Sequence, residues 1–165
     1  MSDTNTPALP LFYRAPELLN ATQHAALRVV PAGYDFADQT NAVPIAVIEF
    51  GQAMRHYPIV FAAGDGFPVA ILGLDRANRF VAGGEWAART YIPAYVRRYP
   101  FVFADRTNDS FALAIDRAAD HLVEDGDAGS ALFVDGKPTE TVTSIMAFCR
   151  DFQGAHIQTD AFARA

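Results

Sequence analysis

Arg55-His56-Tyr57-Pro58-Ile59-Val60-Phe61-Ala62 returns forty-two positions later as Arg97-Arg98-Tyr99-Pro100-Phe101-Val102-Phe103-Ala104, with six of the eight residues identical. Each copy reads as the end of a helix, a proline break and a short buried strand. Before the second copy, Ile92, Tyr95, Val96 and Tyr99 fall at i, i+3, i+4 and i+7, one face of a helix. The matching slots of the first copy hold Phe50, Ala53, Met54 and Tyr57. Pro93 suits a first helical turn, where its missing N–H costs nothing. Pro44 takes that part in the first unit, making its helix longer by seven residues, about two turns. Thr40 or Asn41 can cap it. After each corner the chain turns, through Gly64-Asp65-Gly66 or through residues 105–110, and re-enters an apolar run. Two helix–hairpin repeat units are therefore expected.

The rest of the chain falls in around them. Residues 1–10 are polar and read as a flexible tail, and residues 11–165 as one domain. His24 to Val30 reads as a strand, Tyr34 to Gln39 as one helical turn, and Arg79-Phe80-Val81 as a short strand ended by Gly83-Gly84. Pro68 removes a backbone donor, so its strand is expected at a sheet edge or with a bulge. Ala131 to Val134 reads as a strand, and Asp135-Gly136 is a strong turn signal. Pro138 and Thr139 open a last helix whose apolar stripe is Val142, Ile145, Met146, Cys149 and Phe152. Strands joined by short turns imply antiparallel pairing. Helices set between hairpins imply an α+β fold: a mostly antiparallel sheet, two helix–hairpin units and a C-terminal helix.

Composition narrows the function classes. The 165 residues are enough for a real core, and 51% of them are hydrophobic. A net charge of −6 argues against nucleic acid as the partner. No apolar run reaches the roughly 20 residues of a membrane helix. The start lacks the basic and apolar regions of a secretory signal, so a cytoplasmic location is expected. Signal-peptide-independent export to the cell surface is the alternative. Cys149 is the single cysteine, which precludes an internal disulfide.

The run from Trp86 through Tyr91-Ile92-Pro93-Ala94-Tyr95-Val96-Arg97-Arg98-Tyr99-Pro100-Phe101 resembles the signature of the SapC family of bacterial proteins. Supporting pieces keep the family's order: Leu19-Asn20, Leu27-Arg28-Val29, Val43-Pro44, Glu49-Phe50, Tyr57 to Phe61, Ala70 to Leu74, and Ala131-Leu132-Phe133 with Asp135-Gly136. The resemblance spans nearly the whole chain. Family members usually continue past the equivalent of Ala165, so a C-terminal portion is expected to be missing. The family is named for proteins encoded with a bacterial surface layer. The resemblance carries no reaction and no catalytic residue.

A search for chemistry returns little. His24, His56, His121 and His156 lack metal-site spacing. Asp125-Gly126-Asp127-Ala128-Gly129 resembles the start of a calcium loop, but its twelfth position is Gly136, so it reads as a solvated turn. There is no nucleophile elbow and no phosphate loop, and Cys149 on the apolar stripe reads as a buried structural thiol. No cofactor and no metal are expected. The candidate ligand-binding set is Arg55, His56, Arg97 and Arg98, with Tyr57, Tyr91, Tyr95, Tyr99 and Trp86 as aromatic walls. If the two units pack about a pseudo-two-fold axis, these arginines converge and can grip a carboxylate or phosphate. Otherwise they pair with Glu49, Asp75, Glu85, Asp105 or Asp116 and fix the corners. The leading expectation is a non-catalytic binding or accessory module for a protein or small anionic ligand, with homo-oligomers possible. The rival is an enzyme whose site joins Arg97, His56, Asp116 and Trp86.

Overall fold

A computed structural model of the chain describes residues 9–106, 110–124 and 126–165. Most of the expected tail, the tip of the second repeat's turn and Asp125 of the glycine-rich loop lie outside the described residues.

In chain order, β1 (Pro16–Leu18) and β2 (Arg28–Val29) precede a one-turn 3-10 helix at Asp35–Ala37 and β3 (Ala42–Pro44). A second 3-10 turn, Val47–Glu49, runs directly into α1 (Phe50–Ala53). The hairpin of β4 (Ile59–Phe61) and β5 (Pro68–Ile71) follows, then the ribbon of β6 (Val81–Ala82) and β7 (Glu85–Trp86). Next, α2 (Ala94–Arg97) leads into the hairpin of β8 (Phe101–Arg106) and β9 (Ser110–Asp116). The short strands β10 (Leu122–Val123), β11 (Ser130–Ala131), β12 (Phe133–Val134) and β13 (Lys137–Pro138) precede the long helix α3 (Glu140–Ala163).

Every pairing among the described residues is antiparallel, and the fold is α+β as expected. The three-stranded sheets run β1-β9-β8, β3-β5-β4 and β10-β2-β11. Asp135 and Gly136 both have positive φ, 49° and 71°, and turn β12 into β13. That is the twist a two-residue hairpin loop requires, and Gly136 meets it without a Cβ clash. No helix among the described residues is long and apolar enough to cross a membrane.

Both copies of the repeated phrase do run from a short helix into a hairpin whose second strand is central in its sheet. Their surroundings are not alike. Tyr99, Pro100, Phe101 and Val102 are buried, whereas Pro58 and Val60 are exposed and Phe61 is 56% exposed. Phe101 packs with Leu113, Ile115, Val142 and Cys149, so α3 covers the second corner. Val60 and Phe61 of β4, in contrast, stay exposed, although β4 and β8 are both edge strands. The Tyr99–Pro100 peptide is cis, and the Tyr57–Pro58 peptide is not. The shared spelling encodes a local route and not what lies on top of it, so two matched halves about a symmetry axis do not follow.

Two further expectations are corrected. Pro44 does not open a helix, because Ala42–Pro44 pairs with β5. Helical backbone begins only at Val47, and α1 is confined to four residues that include Gly51, a poor helix former. The Pro68 strand is central, not an edge. Pro68 is tolerated because it is the first residue of β5.

The core forms three clusters. One joins Val43, Ile45, Ala53, Tyr57, Leu72 and Trp86 to Tyr95 and Val96 of α2. A second joins Leu27, Phe101, Leu113, Ile115 and Leu132 to Val142 and Cys149 of α3. A third, with Tyr13, Tyr99 and Val102, lies between β8, β9 and the N-terminal segment.

Candidate functional site

The end of the α1 corner, the segment before α2 and Arg97 enclose an open cleft of about 800 Å³. Its lining is Gln52, Arg55, His56, Arg89, Thr90, Tyr91, Ile92 and Arg97. Three of these are arginines and none is acidic. In a chain of net charge −6, this concentrates positive charge at one place.

The cleft is held open by a buried polar frame. Glu49 is only 6% exposed, and its carboxylate accepts three hydrogen bonds. Ala46 N–H donates to Oε2 at 2.9 Å, half of a capping box for the turn that starts α1. Ala94 N–H at the start of α2 and the Tyr91 hydroxyl each donate to Oε1 at 2.7 Å. One side chain thus ties the entries of both short helices together. Burial, with Glu49 beside it, pushes the Tyr91 phenol up to about 12 against the opposing pull of Arg97. Tyr91 therefore stays protonated and donates a hydrogen bond to Glu49.

Arg97 is anchored by the same frame. Its Nε–H donates to the Ile92 carbonyl at 3.0 Å and Nη2 donates to the Tyr91 hydroxyl at 3.3 Å. Its guanidinium also lies 5.2 Å from the centre of the Phe148 ring. It reaches Glu49 only through Tyr91, so its charge is not cancelled by a direct ion pair. Arg55 and Arg89 are exposed and make no hydrogen bond or ion pair with any described residue. Arg89 has φ 63°, a left-handed conformation that costs a non-glycine residue roughly 1–2 kcal/mol. Backbone strain of this kind collects at functional sites.

The expected residues divide into two groups. Arg55, His56 and Arg97 line the cleft. Tyr57 and Trp86 sit behind it as a buried pair: Trp86 Nε1–H donates to the Tyr57 hydroxyl at 3.1 Å, and that hydroxyl donates to the Tyr91 carbonyl. They shape the wall by fixing the Tyr91 segment. Tyr95, Arg98 and Tyr99 do not line the cleft. Arg98 lies 4.2 Å from the Tyr95 ring centre and 4.5 Å from that of Phe152, a cation–π arrangement between α2 and α3. Tyr99 donates to Asp116 at 3.1 Å.

Asp116, a member of the enzyme constellation, is fully buried away from the cleft. Besides Tyr99, it accepts from the backbone N–H groups of Arg14, Ala15 and Ala118 at 2.8–3.1 Å. Burial pushes its pKa up, but these donors outweigh burial and hold the carboxyl below its ordinary range. Its work is to pin the segment before β1 onto the end of β9. Since Trp86 is likewise behind the wall, Arg97, His56, Asp116 and Trp86 are not assembled into one site.

Gln52, Arg89, Thr90 and Ile92 were not among the expected site residues. The readable signal was an arginine in the short segment directly before Tyr91-Ile92-Pro93. Among the described residues, no group of three or more His, Cys, Asp or Glu side chains is placed to hold a metal.

No curated protein and no solved structure matches the chain. A family model described as SapC matches residues 19–165, nearly the full length and the whole of the cleft's lining. The chain belongs to the SapC family.

Proposed function

We propose that the protein is a non-catalytic binding module of the SapC family that takes a small anionic group, carboxylate or phosphate, into the arginine cleft. The observation that carries this reading is the state of the cleft's cations. Among the described residues Arg55 and Arg89 have no acidic partner, and Arg97 is oriented by Ile92 and Tyr91 without a direct ion pair. The planar guanidinium fork grips carboxylate and phosphate oxygens by paired N–H donors. The Tyr91 ring and Ile92 offer an apolar surface beside them. The cleft is open enough for the anion to be free or part of a partner protein. A surface-layer role rests on the family's name alone.

Isothermal titration with inorganic phosphate and with citrate tests the reading. Binding is expected to weaken as ionic strength rises, because the contacts are exposed to solvent. The double substitution Arg55→Ser, Arg89→Ser is expected to weaken it about tenfold or more. Absence of binding, or a double variant that binds as well as the parent, overturns the proposal.

A further inference from the structure

The arginine cleft does not end at Arg97. A second hollow, of about 310 Å³, lies between the turn and helix of the first corner, the start of α2 and the middle of α3. The two hollows share Gln52, Tyr91 and Arg97. Gln52 and Arg97 are exposed, so the boundary is a rim at the surface and not a buried wall. A ligand can lie across it. The second hollow is held in shape from behind. Val47 N–H donates to the hydroxyl of the fully buried Thr159 at 3.0 Å, which ties the Val47–Glu49 turn to α3.

The two hollows differ in chemistry. The cleft carries three arginines and no acid. The second hollow is walled by Ala46, Ile48, Ala94, Phe148, Phe152 and Ala155, and its acids are Glu49 and Asp151. An anion is therefore directed to the arginine side and an uncharged apolar group to the other. Arg97 marks the crossing, with its guanidinium 5.8 Å from the Tyr91 ring centre and 5.2 Å from that of Phe148. Its Nε and Nη2 are engaged by Ile92 and Tyr91, while Nη1 makes no hydrogen bond with any described residue. The Gln52 side chain makes none either, and its amide can both donate and accept. That is the complement of a peptide bond. A carboxylate, an adjoining peptide bond and an apolar side chain are together what the last residue of a polypeptide presents, and capture of such ends is a known mode of recognition.

We propose that this groove captures the C-terminal end of a polypeptide whose last side chain is large and apolar. The terminal carboxylate lies on the cleft arginines, the adjoining peptide bond at Gln52, and the last side chain between Ile48, Phe148 and Ala155. The proposal rests on the anion reading of the cleft and names the kind of partner that brings the anion.

The peptide acetyl-Ala-Ala-Phe with a free carboxylate, titrated into the full chain and followed by calorimetry and methyl NMR, tests this. It is expected to move the methyl signals of Ile92 in the cleft and of Ile48 and Ala155 in the second hollow. Acetyl-Ala-Ala-Gly lacks the apolar side chain, and the amide of the Phe peptide lacks the charge. Each is expected to bind at least about tenfold more weakly. 3-Phenylpropanoate keeps the carboxylate and the ring without a peptide bond, and is also expected to bind more weakly. Ile48→Ser alters an exposed position, and is expected to narrow the advantage of the Phe peptide over the Gly peptide about threefold or more. Should that variant fail to fold, the comparison of peptides on the unaltered protein decides alone. Inorganic phosphate reads the cleft by itself. If phosphate binds but the Phe peptide gains nothing over the Gly peptide, or moves only Ile92, this inference is overturned and the cleft reading stands. Phosphate and peptide both failing to bind overturns the two together. An amide or a phenylpropanoate that binds as tightly as the Phe peptide overturns the assignment to a polypeptide end.

Discussion

Replacing Glu49 by glutamine changes one buried atom and tests the frame that shapes the cleft. The carboxylate serves three donors: Ala46 N–H on Oε2, and Ala94 N–H and the Tyr91 hydroxyl on Oε1. Glutamine has one acceptor oxygen. Its best orientation keeps that oxygen towards Tyr91 and Ala94 and turns the amide NH₂ against Ala46 N–H. A buried donor left without an acceptor costs about 1–3 kcal/mol, and the two surviving bonds lose their charge assistance. The sum is about 2–4 kcal/mol, a large share of the stability of an ordinary domain. For a chain of 165 residues this corresponds to a fall in Tm of roughly 6–12 °C. Urea unfolding followed by Tyr and Trp fluorescence, with calorimetry alongside, reads the change. Stability is the clean observable here, because the substitution also removes a negative charge near Arg97 and so alters anion affinity by a second route. Glu49→Ala strands all three donors and is expected to cost more than the glutamine variant. A Tm within about 2 °C of the parent for both variants would show that Glu49 does not tie the two helices together.

Asp116→Asn should be less stable at neutral pH by about 2–3 kcal/mol, since one of its two acceptor oxygens is lost beneath several donors. The folded-state pKa of Asp116 lies below its unfolded value. Its contribution is therefore present above about pH 4 and is lost as pH falls through the folded value, and denaturant titrations at pH 7, 4 and 3 should show a shallower acid loss in the variant. Arg89→Gly separates binding from folding. Relief of the left-handed strain and the greater unfolded-state entropy of glycine nearly cancel, so Tm should stay within a few degrees while phosphate affinity falls. Cys149 is buried, and burial pushes its thiol up to about 11 against the opposing effect of Arg98. A thiol reagent at pH 8 should react slowly with the native protein and fast once urea unfolds it; equal rates would contradict the packing of α3.

Local features of the fold were readable in the chain. Asp135-Gly136 makes the expected hairpin, Thr139 precedes α3, and Val142 and Cys149 of the expected stripe are buried. Met146 of the same stripe is exposed, because neighbouring elements cover only part of that face. The Tyr-Pro corners were readable as routes from helix to strand. What escaped was everything set by distant pairing. Ala42–Pro44 became a strand because β5 was there to pair with it, a contact that no window around Pro44 contains. β1 lies on β9 roughly a hundred residues away, with Asp116 as the clasp.

The site shows the same division. Arg55, His56 and Arg97 were readable from their position at the corners, but Arg98, adjacent in sequence, leaves the cleft because successive helix residues face different directions. Arg89 joins the cleft from a loop that carries no periodic signal. Glu49 was read as a partner for arginine and instead holds backbone donors and Tyr91.

A crystal grown with citrate or tungstate tests the central claim most directly, because it shows where an anion sits. Density for the anion between Arg55, Arg89 and Arg97, within hydrogen-bond distance of at least two of them, is the result expected. An empty cleft under those conditions, or the three arginines turned onto carboxylates of their own chain, would contradict it.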